Sequence, residues 1–335
     1  MDFDLQKTQD PHAQGQADRS FPEGRIPIGL SPLAGVSDRP FRSLCFAMGA
    51  DFAVTEMVSA SGLYYDSERT ELLLNTDPSE NHIFCQIFGK DPQIMGKVIR
   101  EKLNLRSEFV GIDLNMGCPA PKIVKNGEGS ALMKDPILAG KVIGAMVKAS
   151  SKPVSVKFRL GWDEEHQNYL EIGKIAQEEG AAHVTLHGRT TCQQYSGSAN
   201  WEAIAKLKDA LTIPVVGNGD VNSPQSAQSM ISETHCDGIA IGRGAMGNPF
   251  LFREIRQAMK GEKVVHPTAR ERFQVIQEHY EQEIAMRGQH AAILFMRKNL
   301  AWYIAGLKGA AKARTELMRT EDLSEIRSIL SLLFS

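Results

Sequence analysis

Eight short apolar segments recur between residues 26 and 241, and helical patterns separate most of them. The apolar segments lie at residues 26–33, 51–55, 83–88, 109–115, 154–159, 182–187, 214–218 and 238–241. The helical patterns lie at residues 40–48, 92–103, 137–149, 169–179, 201–210 and 223–232. Eight strands that alternate with helices over about 230 residues predict an α/β fold, specifically a (β/α)8 TIM barrel. An open doubly wound sheet is the competing fold, but no G-x-G-x-x-G motif follows the first segment.

The alternation ends after about residue 252, and the rest of the chain shows only helical patterns. These patterns cover residues 269–287, 291–305 and 323–334. We therefore predict a barrel domain at residues 25–255 and a small C-terminal all-helical domain at residues 256–335, linked through residues 261–267. A chain of 335 residues with 42% apolar content is long enough for this arrangement. Residues 1–24 are polar and aperiodic, which predicts a mobile N-terminal tail without an assigned role.

Charge and cysteine content limit the classes of partner and compartment. The formal net charge is -2, so a nucleic-acid surface must be local rather than general. Five cysteines stand far apart without a C-x-x-C pair, which predicts reduced thiols and no metal site. The sequence shows no apolar run of membrane-spanning length and no signal peptide. We expect a soluble cytoplasmic protein without a membrane partner, with a monomer as the default state.

The segment FVGIDLNMGCP, at residues 109–119, has the pattern of a buried strand that ends in a functional loop. Asp113 and Asn115 share one face of this strand because side chains alternate along it. Cys118 follows directly past the carboxyl end, where parallel α/β proteins place their chemistry. Taken alone, Cys118 fits a buried structural thiol equally well.

Polar residues also mark the ends of the other predicted strands. The bare backbone at Pro32 and Ala34 would let a flat ligand lie against the barrel mouth, although an ordinary tight turn also fits. Gln86 can offer an amide donor and acceptor to a heterocycle, although a lone strand glutamine is more often a satisfied polar group. Lys157 and Arg159 face inward, which indicates an anionic ligand, or else pairing of Lys157 with Asp113.

The last three predicted strands carry further signals. His187 ends the sixth strand, where it could bind a ligand, transfer a proton or serve a structural role. Glycine-rich loops follow strands seven and eight, a position that commonly exposes backbone N–H groups to a phosphate. These loops contain Asn218, Gly219, Asp220, Gly242 and Arg243. Together with the signals above, they predict one flat phosphorylated cofactor, for which flavin mononucleotide (FMN) is the natural candidate, with Lys157 near its N1 and C2 carbonyl.

Eight motifs resemble those of the tRNA-dihydrouridine synthases in order and spacing. They are PLAGVSDRPFR, TEMVSASG, DLNMGCPAPKIVKNGEGSALM, VKFRLGW, HGRTTCQQYSG, GNGDV, IGRGAMGNP and, in the helical region, RKNLAWYIAGLKGAAKAR. The last motif is similar to the bacterial B-type branch, and the likeness covers about residues 25–330. The resemblance implies an FMN-dependent oxidoreductase that reduces the C5–C6 double bond of uridines in tRNA with NADPH or NADH.

The resemblance also implies roles for individual residues. Cys118 would be the general acid, and Asn115 would help to position the uracil. Pro32, Leu33 and Ala34 would line the flavin. The ring or ribityl chain would bond to Gln86, Lys157 and His187. The phosphate end would be held by Asn218, Gly219, Asp220, Gly242 and Arg243.

Recognition of tRNA is predicted from local charge in the helical domain. Residues 291–319 carry six cations, among them Arg297 and Lys298, against Glu316 alone. We expect this surface and the inward Arg159 to bind substrate, with the target uridine flipped into the barrel mouth. A simply solvated cationic face is the plainer interpretation. Two other functions stay open, namely a dihydroorotate-dehydrogenase-like FMN barrel acting on a free pyrimidine, and a non-catalytic tRNA-binding factor.

Overall fold

The computed structural model describes residues 25–335, so the predicted N-terminal tail at residues 1–24 lies outside the described residues. Nine parallel strands form one sheet: β1 (Ile28–Leu30), β2 (Phe52–Val54), β3 (Val58–Ser59), β4 (Ile83–Phe88), β5 (Phe109–Met116), β6 (Val154–Arg159), β7 (His183–His187), β8 (Val215–Asn218) and β9 (Gly238–Ile241). Each barrel strand pairs with the next, and β9 pairs with β1, which closes the barrel. The short β3 continues the position of β2 beside β4. Because β2 and β3 occupy the same strand position beside β4, the nine strands fill eight positions around the barrel. The predicted TIM barrel is confirmed.

The amino-terminal half of the barrel interior is closely filled by apolar side chains, with the buried His183 ring against Phe84. Phe52 and Phe84 meet edge to face inside it, with ring centroids 6.4 Å apart. A Cβ at Gly29 would lie 2.5 Å from the Phe52 ring, and one at Gly111 would lie 2.5 Å from the Phe84 ring. Glycine is therefore required at both positions, since the large rings occupy the space that a side chain would need. The cavity described below therefore lies in the carboxyl-end half of the barrel.

Fourteen α-helices lie within the described residues. They are α1 (Arg39–Ala47), α2 (Ala60–Tyr64), α3 (Glu68–Glu71), α4 (Pro92–Val98), α5 (Pro121–Lys125), α6 (Pro136–Ala149), α7 (Tyr169–Glu178), α8 (Trp201–Ala210), α9 (Pro224–Thr234), α10 (Leu251–Met259), α11 (Ala269–Arg287), α12 (Gln289–Tyr303), α13 (Ala310–Leu317) and α14 (Leu323–Phe334). A π-helical turn at residues 99–103 extends α4 to the predicted end of that segment. Among residues 25–335, no helix combines the length and apolarity that crossing a membrane requires.

Side-chain caps explain where several barrel helices begin. The carboxylates of Asp38, Asp91 and Asp135 accept backbone N–H bonds at the starts of α1, α4 and α6. Asn200 and Ser223 do the same for α8 and α9. A cap satisfies an N–H group that has no partner within the helix. These caps therefore fix the ends of the loops that surround the barrel mouth.

The helical region packs onto the barrel through a shared core. Its buried residues come from α11 to α14 and from two barrel residues, Leu44 of α1 and Phe250 just before α10. The predicted domain boundary after residue 255 falls inside α10, a helix that packs against α9 as part of the barrel. The segment between α10 and α11 contains the predicted linker at residues 261–267.

Candidate active site

A cavity of about 820 Å³ opens at the carboxyl ends of the barrel strands. This volume lies in the range of pockets that hold a cofactor or a small ligand. All but one of the predicted cofactor, catalytic and substrate residues line it: Pro32, Leu33, Ala34, Gln86, Asn115, Cys118, Lys157, Arg159, His187, Asn218, Gly219, Asp220, Gly242, Arg243 and Lys298. The exception is Arg297, whose guanidinium lies 3.6 Å from the carboxylate of Glu321.

A buried hydrogen-bond chain crosses three neighbouring strands at the floor of this cavity. Asn115 Nδ2 donates to Gln86 Oε1 at 2.7 Å, and Gln86 Nε2 donates to Asp113 Oδ2 at 2.7 Å. Ser155 Oγ completes the chain with a 2.6 Å bond to Asp113 Oδ1. The Gln86 amide still has one N–H and one oxygen lone pair for a ligand. The alternative in which Asp113 pairs directly with Lys157 is wrong for the described residues, because Lys157 donates to Asn218 and the Asp113 carboxylate accepts from Gln86 and Ser155.

Lys157 is partly buried at the cavity and, among residues 25–335, has a single hydrogen-bond partner. Its Nζ donates to Asn218 Oδ1 at 3.0 Å, and Asn218 Nδ2 in turn donates to the Ala240 carbonyl at 2.6 Å. Burial, reinforced by the nearby Arg159 charge, lowers the pKa of Lys157 to about 8. The ammonium remains mostly charged at neutral pH and has two further N–H donors for an anionic ligand.

His187 has a different electrostatic position in the same cavity. Burial lowers its pKa well below the ordinary value, and the surrounding cations, Lys157 and Arg159 first among them, lower it further. The imidazole is therefore neutral at physiological pH. Of the three roles left open by the sequence, hydrogen bonding to a ligand fits this environment, and proton donation does not.

The Cys118 loop is held by its backbone. Asn115 Oδ1 accepts from the N–H groups of Gly117 at 3.1 Å and Cys118 at 2.9 Å. The Cys118 carbonyl accepts from both the backbone N–H and the hydroxyl of Ser130. Burial raises the pKa of the thiol, while the Ala120 N–H and Arg159 act in the opposite direction. The thiol is thus held at the cavity in its protonated form at neutral pH.

Arg159 binds protein carbonyls. Its Nε donates to the Gly117 carbonyl at 2.7 Å, and its Nη1 donates to those of Thr190 and Gln194, both at 2.9 Å. These bonds tie the Cys118 loop to the loop after β7. Its Nη2 carries no bond to a described residue, so one edge of the guanidinium is free to contact a substrate.

The glycine-rich loops after β8 and β9 form a set of open backbone donors. Among residues 25–335, no acceptor binds the N–H groups of Gly219, Asp220, Gly242 and Arg243. The backbone at Gly219 has φ +129°, and a Cβ there would lie 2.7 Å from the Ala199 Cβ. Unpaired N–H groups beside an arginine, on the wall of one cavity, fit the phosphate of a cofactor. The residues present therefore fit FMN.

Asp220 contacts cations in this structure. Its Oδ2 accepts from Arg189 Nη2 at 2.7 Å, and its Oδ1 accepts from Arg243 Nη2 at 3.2 Å. Asp220 therefore orients Arg243 beside the open N–H groups. Arg243 also lies over the ring of Tyr195, with 4.7 Å between the guanidinium carbon and the ring centroid.

Several cavity residues were missed by the sequence reasoning. Arg189 is buried and binds the loop carbonyls of Ser196 and Gly197, and the side chain of Tyr195 is about half exposed at the mouth. Both belong to the motif HGRTTCQQYSG, so the signal was present without a role attached to it. Trp302 reaches the cavity from α12, which no local pattern predicts.

Comparison with known proteins agrees with this geometry. The family model described as Dihydrouridine synthase (Dus) matches residues 29–333. The chain is 37% identical over 294 residues to tRNA-dihydrouridine synthase B of Pseudomonas aeruginosa, an alignment that covers 88% of each chain. It is 39% identical over 302 residues to the probable tRNA-dihydrouridine synthase 1 of Synechocystis sp., covering 90% of this chain and 84% of that relative.

A solved structure shares the fold at much lower sequence identity. Histamine dehydrogenase from Rhizobium sp. 4-9 matches with a TM-score of 0.51 and 14% identity, over 81% of this chain and 51% of that one. The motif resemblance is confirmed by the family match, which spans both the barrel and the helical region. The chain belongs to the dihydrouridine synthase family.

Proposed function

We propose that this protein reduces the C5–C6 double bond of uridines in tRNA, with FMN bound in the barrel cavity and NADPH or NADH as the electron source. One observation carries the proposal, namely that a single cavity is lined both by the protonated thiol of Cys118 and by the open N–H groups of two glycine-rich loops. The family membership supports the same reaction. Bound FMN would supply a hydride, first taken from the nicotinamide, to C6 of the uracil.

The residues that would hold FMN lie on different sides of the cavity. The N–H groups of Gly219 and Gly242, with Arg243, would bind the phosphate. Leu33 and its neighbours Pro32 and Ala34 would contact the ring, because this loop lines the cavity and presents little polar surface. Lys157 would donate to the electron-rich edge of the ring and stabilise negative charge that develops there on reduction.

Cys118 would supply the proton that accompanies the hydride. The S–H bond breaks, the proton goes to C5 of the uracil, and the thiolate takes a new proton from solvent after product release. Burial favours the neutral thiol, so the group is protonated when the substrate arrives. Asn115 would act mainly through the loop, since its side-chain oxygen fixes the Cys118 backbone.

The uracil must leave the tRNA stack to enter this cavity. Arg159 has a free guanidinium edge at the cavity, where it can bond to a uracil carbonyl, and Lys298 lies at the mouth. Outside the cavity, Lys308, Lys312, Arg314 and Arg319 are exposed and lie in the same helical region as Arg297. We propose that these cations bind tRNA phosphates, so tRNA affinity should decrease as salt increases.

The first experiment is an absorption spectrum of the purified protein with and without added FMN. NADPH is then added without oxygen, in the presence or absence of unmodified tRNA. The expected result is a flavin spectrum that bleaches with NADPH and recovers only with tRNA. Recovery with free uridine instead would indicate an enzyme for a free pyrimidine, and a protein that binds tRNA but takes up no FMN would indicate a non-catalytic factor.

We further propose that the protein acts as a cytoplasmic monomer without a bound metal. Cys45, Cys85 and Cys236 are buried free thiols, which supports a reducing compartment. Asp38, His279 and Glu283 place possible ligand atoms within 4.8 Å of one another, but Arg287 already pairs with both carboxylates. Metal analysis and light scattering test these points, and a stoichiometric metal or a stable dimer would contradict them.

A further inference from the structure

The helical region forms part of the cavity wall. Lys298 and Trp302 of α12 line the cavity directly. Gly247, in the loop after β9, lies so close to α12 that a Cβ there would be 2.5 Å from the Trp302 carbonyl carbon. Its φ of +67° is also one that glycine adopts most readily. The same loop contains Gly242 and Arg243, so α12 packs against the loop to which we assign the cofactor phosphate.

A second contact joins the helical region to the loop at residues 31–38, which lines the cavity beside the Gly242 loop because β1 pairs with β9. Arg287, at the end of α11, donates from Nη2 to Asp38 Oδ2 at 2.6 Å. Its Nε pairs with Glu283 on the same helix. The side chains of Asp38 and Glu283 are 6% and 0% exposed, whereas that of Arg287 is 29% exposed, so a partly exposed guanidinium pairs with two buried carboxylates. The guanidinium therefore bridges a barrel carboxylate and a helical-region carboxylate inside the protein.

Asp38 transmits this contact to the residues on the cavity. It begins α1 by accepting from the Phe41 N–H, and it directly follows Ser37. Ser37 Oγ accepts from the Leu33 N–H at 2.8 Å, and its backbone N–H donates to the Leu33 carbonyl at 2.9 Å. The Ser37 hydroxyl also donates to the Leu33 carbonyl at 3.2 Å, so three bonds connect Leu33 to the residue beside Asp38. A shift of Asp38 would move Leu33 at the cavity wall.

The remaining groups around Asp38 do not substitute for Arg287. Burial lowers the pKa of His279 to about 4, so this residue is neutral near pH 7, and its Nδ1 bonds to the Tyr303 hydroxyl at 3.0 Å. Glu56 faces the same loop and accepts from the Gly35 N–H. Burial raises the pKa of Asp38 to about 7, with Glu283 adding to the effect. Arg287 is therefore the cation that directly contacts the Asp38 carboxylate.

We propose that Arg287 is a positioning residue for the flavin half-reaction: through Asp38 it holds the loop at residues 31–38 against the cofactor. The helical region then sets flavin affinity and reduction by NADPH, in addition to binding tRNA. This inference rests on the proposed function, because it uses FMN bound beside Leu33. It differs from a tRNA-binding role because reduction by NADPH requires no tRNA.

The test compares Arg287→Gln and Asp38→Asn with the unchanged protein, without tRNA. Asp38→Asn keeps an oxygen for the α1 cap and leaves one carboxylate beside Arg287, so it is the variant that should fold readily. Arg287→Lys keeps a cation and should therefore retain part of the FMN affinity and of the reduction rate that Arg287→Gln loses. Arg327→Gln is the matched control, because Arg327 forms an exposed ion pair with Glu281 at 3.7 Å, also in the helical region.

We expect the dissociation constant for FMN to be at least tenfold higher in Arg287→Gln and Asp38→Asn than in the unchanged protein. At saturating FMN, anaerobic reduction by NADPH should slow at least fivefold, and Arg327→Gln should match the unchanged protein in both measurements. The inference would be overturned if folded Asp38→Asn had an FMN affinity and a rate of reduction by NADPH within twofold of those of the unchanged protein, even if its melting temperature fell. If the unchanged protein bound no FMN, the proposed function itself would fail.

Discussion

Replacing Cys118 by alanine should remove a proton donor without disturbing the loop that carries it. The bonds that hold this loop use the Cys118 backbone N–H and carbonyl, which alanine retains. The partners, Asn115 and Ser130, are unchanged in the variant. A loss of activity can therefore be assigned to the thiol and not to a rearranged loop.

The expected magnitude follows from the protonation state of the thiol. At its ordinary pKa of 9.0, a thiol is about 3% ionised at pH 7.5, and burial of Cys118 decreases this fraction further. Almost every substrate complex therefore contains the acid in its active form. General acid catalysis contributes about 10² to 10⁴ in rate, or roughly 3 to 5 kcal/mol in the barrier. We expect uridine reduction by Cys118→Ala to slow by this factor.

The assay separates the two half-reactions by following flavin absorbance without oxygen. Bleaching by NADPH should proceed within twofold of the normal rate in Cys118→Ala, whereas recovery with unmodified tRNA should slow by about 10² or more. Cys192→Ala is the matched control, because Cys192 is exposed and does not line the cavity. Recovery at the normal rate in Cys118→Ala, with dihydrouridine formed, would refute the acid role.

Three other predictions test separate parts of the structure. Flavin reduction by NADPH should slow as pH rises through about 8, because Lys157 loses its charge there, and Lys157→Met should abolish this pH dependence. Arg243→Ala should weaken FMN binding about tenfold or more but leave riboflavin binding unchanged, since riboflavin lacks the phosphate that Arg243 would contact; equal losses for both ligands would argue against that role. Gly111→Ala should lower the free energy of unfolding, measured by urea denaturation, by about 1–3 kcal/mol, because its Cβ would overlap the Phe84 ring. Adding Phe84→Leu to this variant should restore part of the lost stability.

Strand positions could be predicted from the sequence because the barrel imposes a local pattern. All eight predicted strands lie at barrel positions, and the predicted bounds of α8, α11 and α14 are those of the structure. The short helices α2, α3 and α5 were missed, since helices of four or five residues depend on tertiary contacts and show no periodicity. The predicted domain boundary at residue 255 divides α10, the helix that follows the last strand.

The candidate site was predictable in its members but not in its bonds. Strand ends converge at one mouth in any parallel barrel, so a list of polar strand-end residues identifies much of the cavity. Pairing depends on which strands are neighbours and how far each side chain reaches. The sequence therefore could not show that Asp113 binds Gln86 and Ser155, or that Arg159 bonds to carbonyls of two loops. The approach of Trp302 is less predictable still, because it joins segments far apart in the chain.

Burial acts in opposite directions on the two groups that the reaction would use. It lowers the pKa of Lys157 to about 8 and raises that of Cys118, because a low-dielectric environment disfavours the charged form of each. Both groups are protonated below about pH 8, which is the state that each proposed role requires. Above this pH, Lys157 loses its proton first, so the alkaline decline of turnover should report the lysine while Cys118 is still a thiol. In Lys157→Met the remaining decline should therefore shift above pH 9, where the thiol ionises, and an unchanged profile would assign the decline to another group.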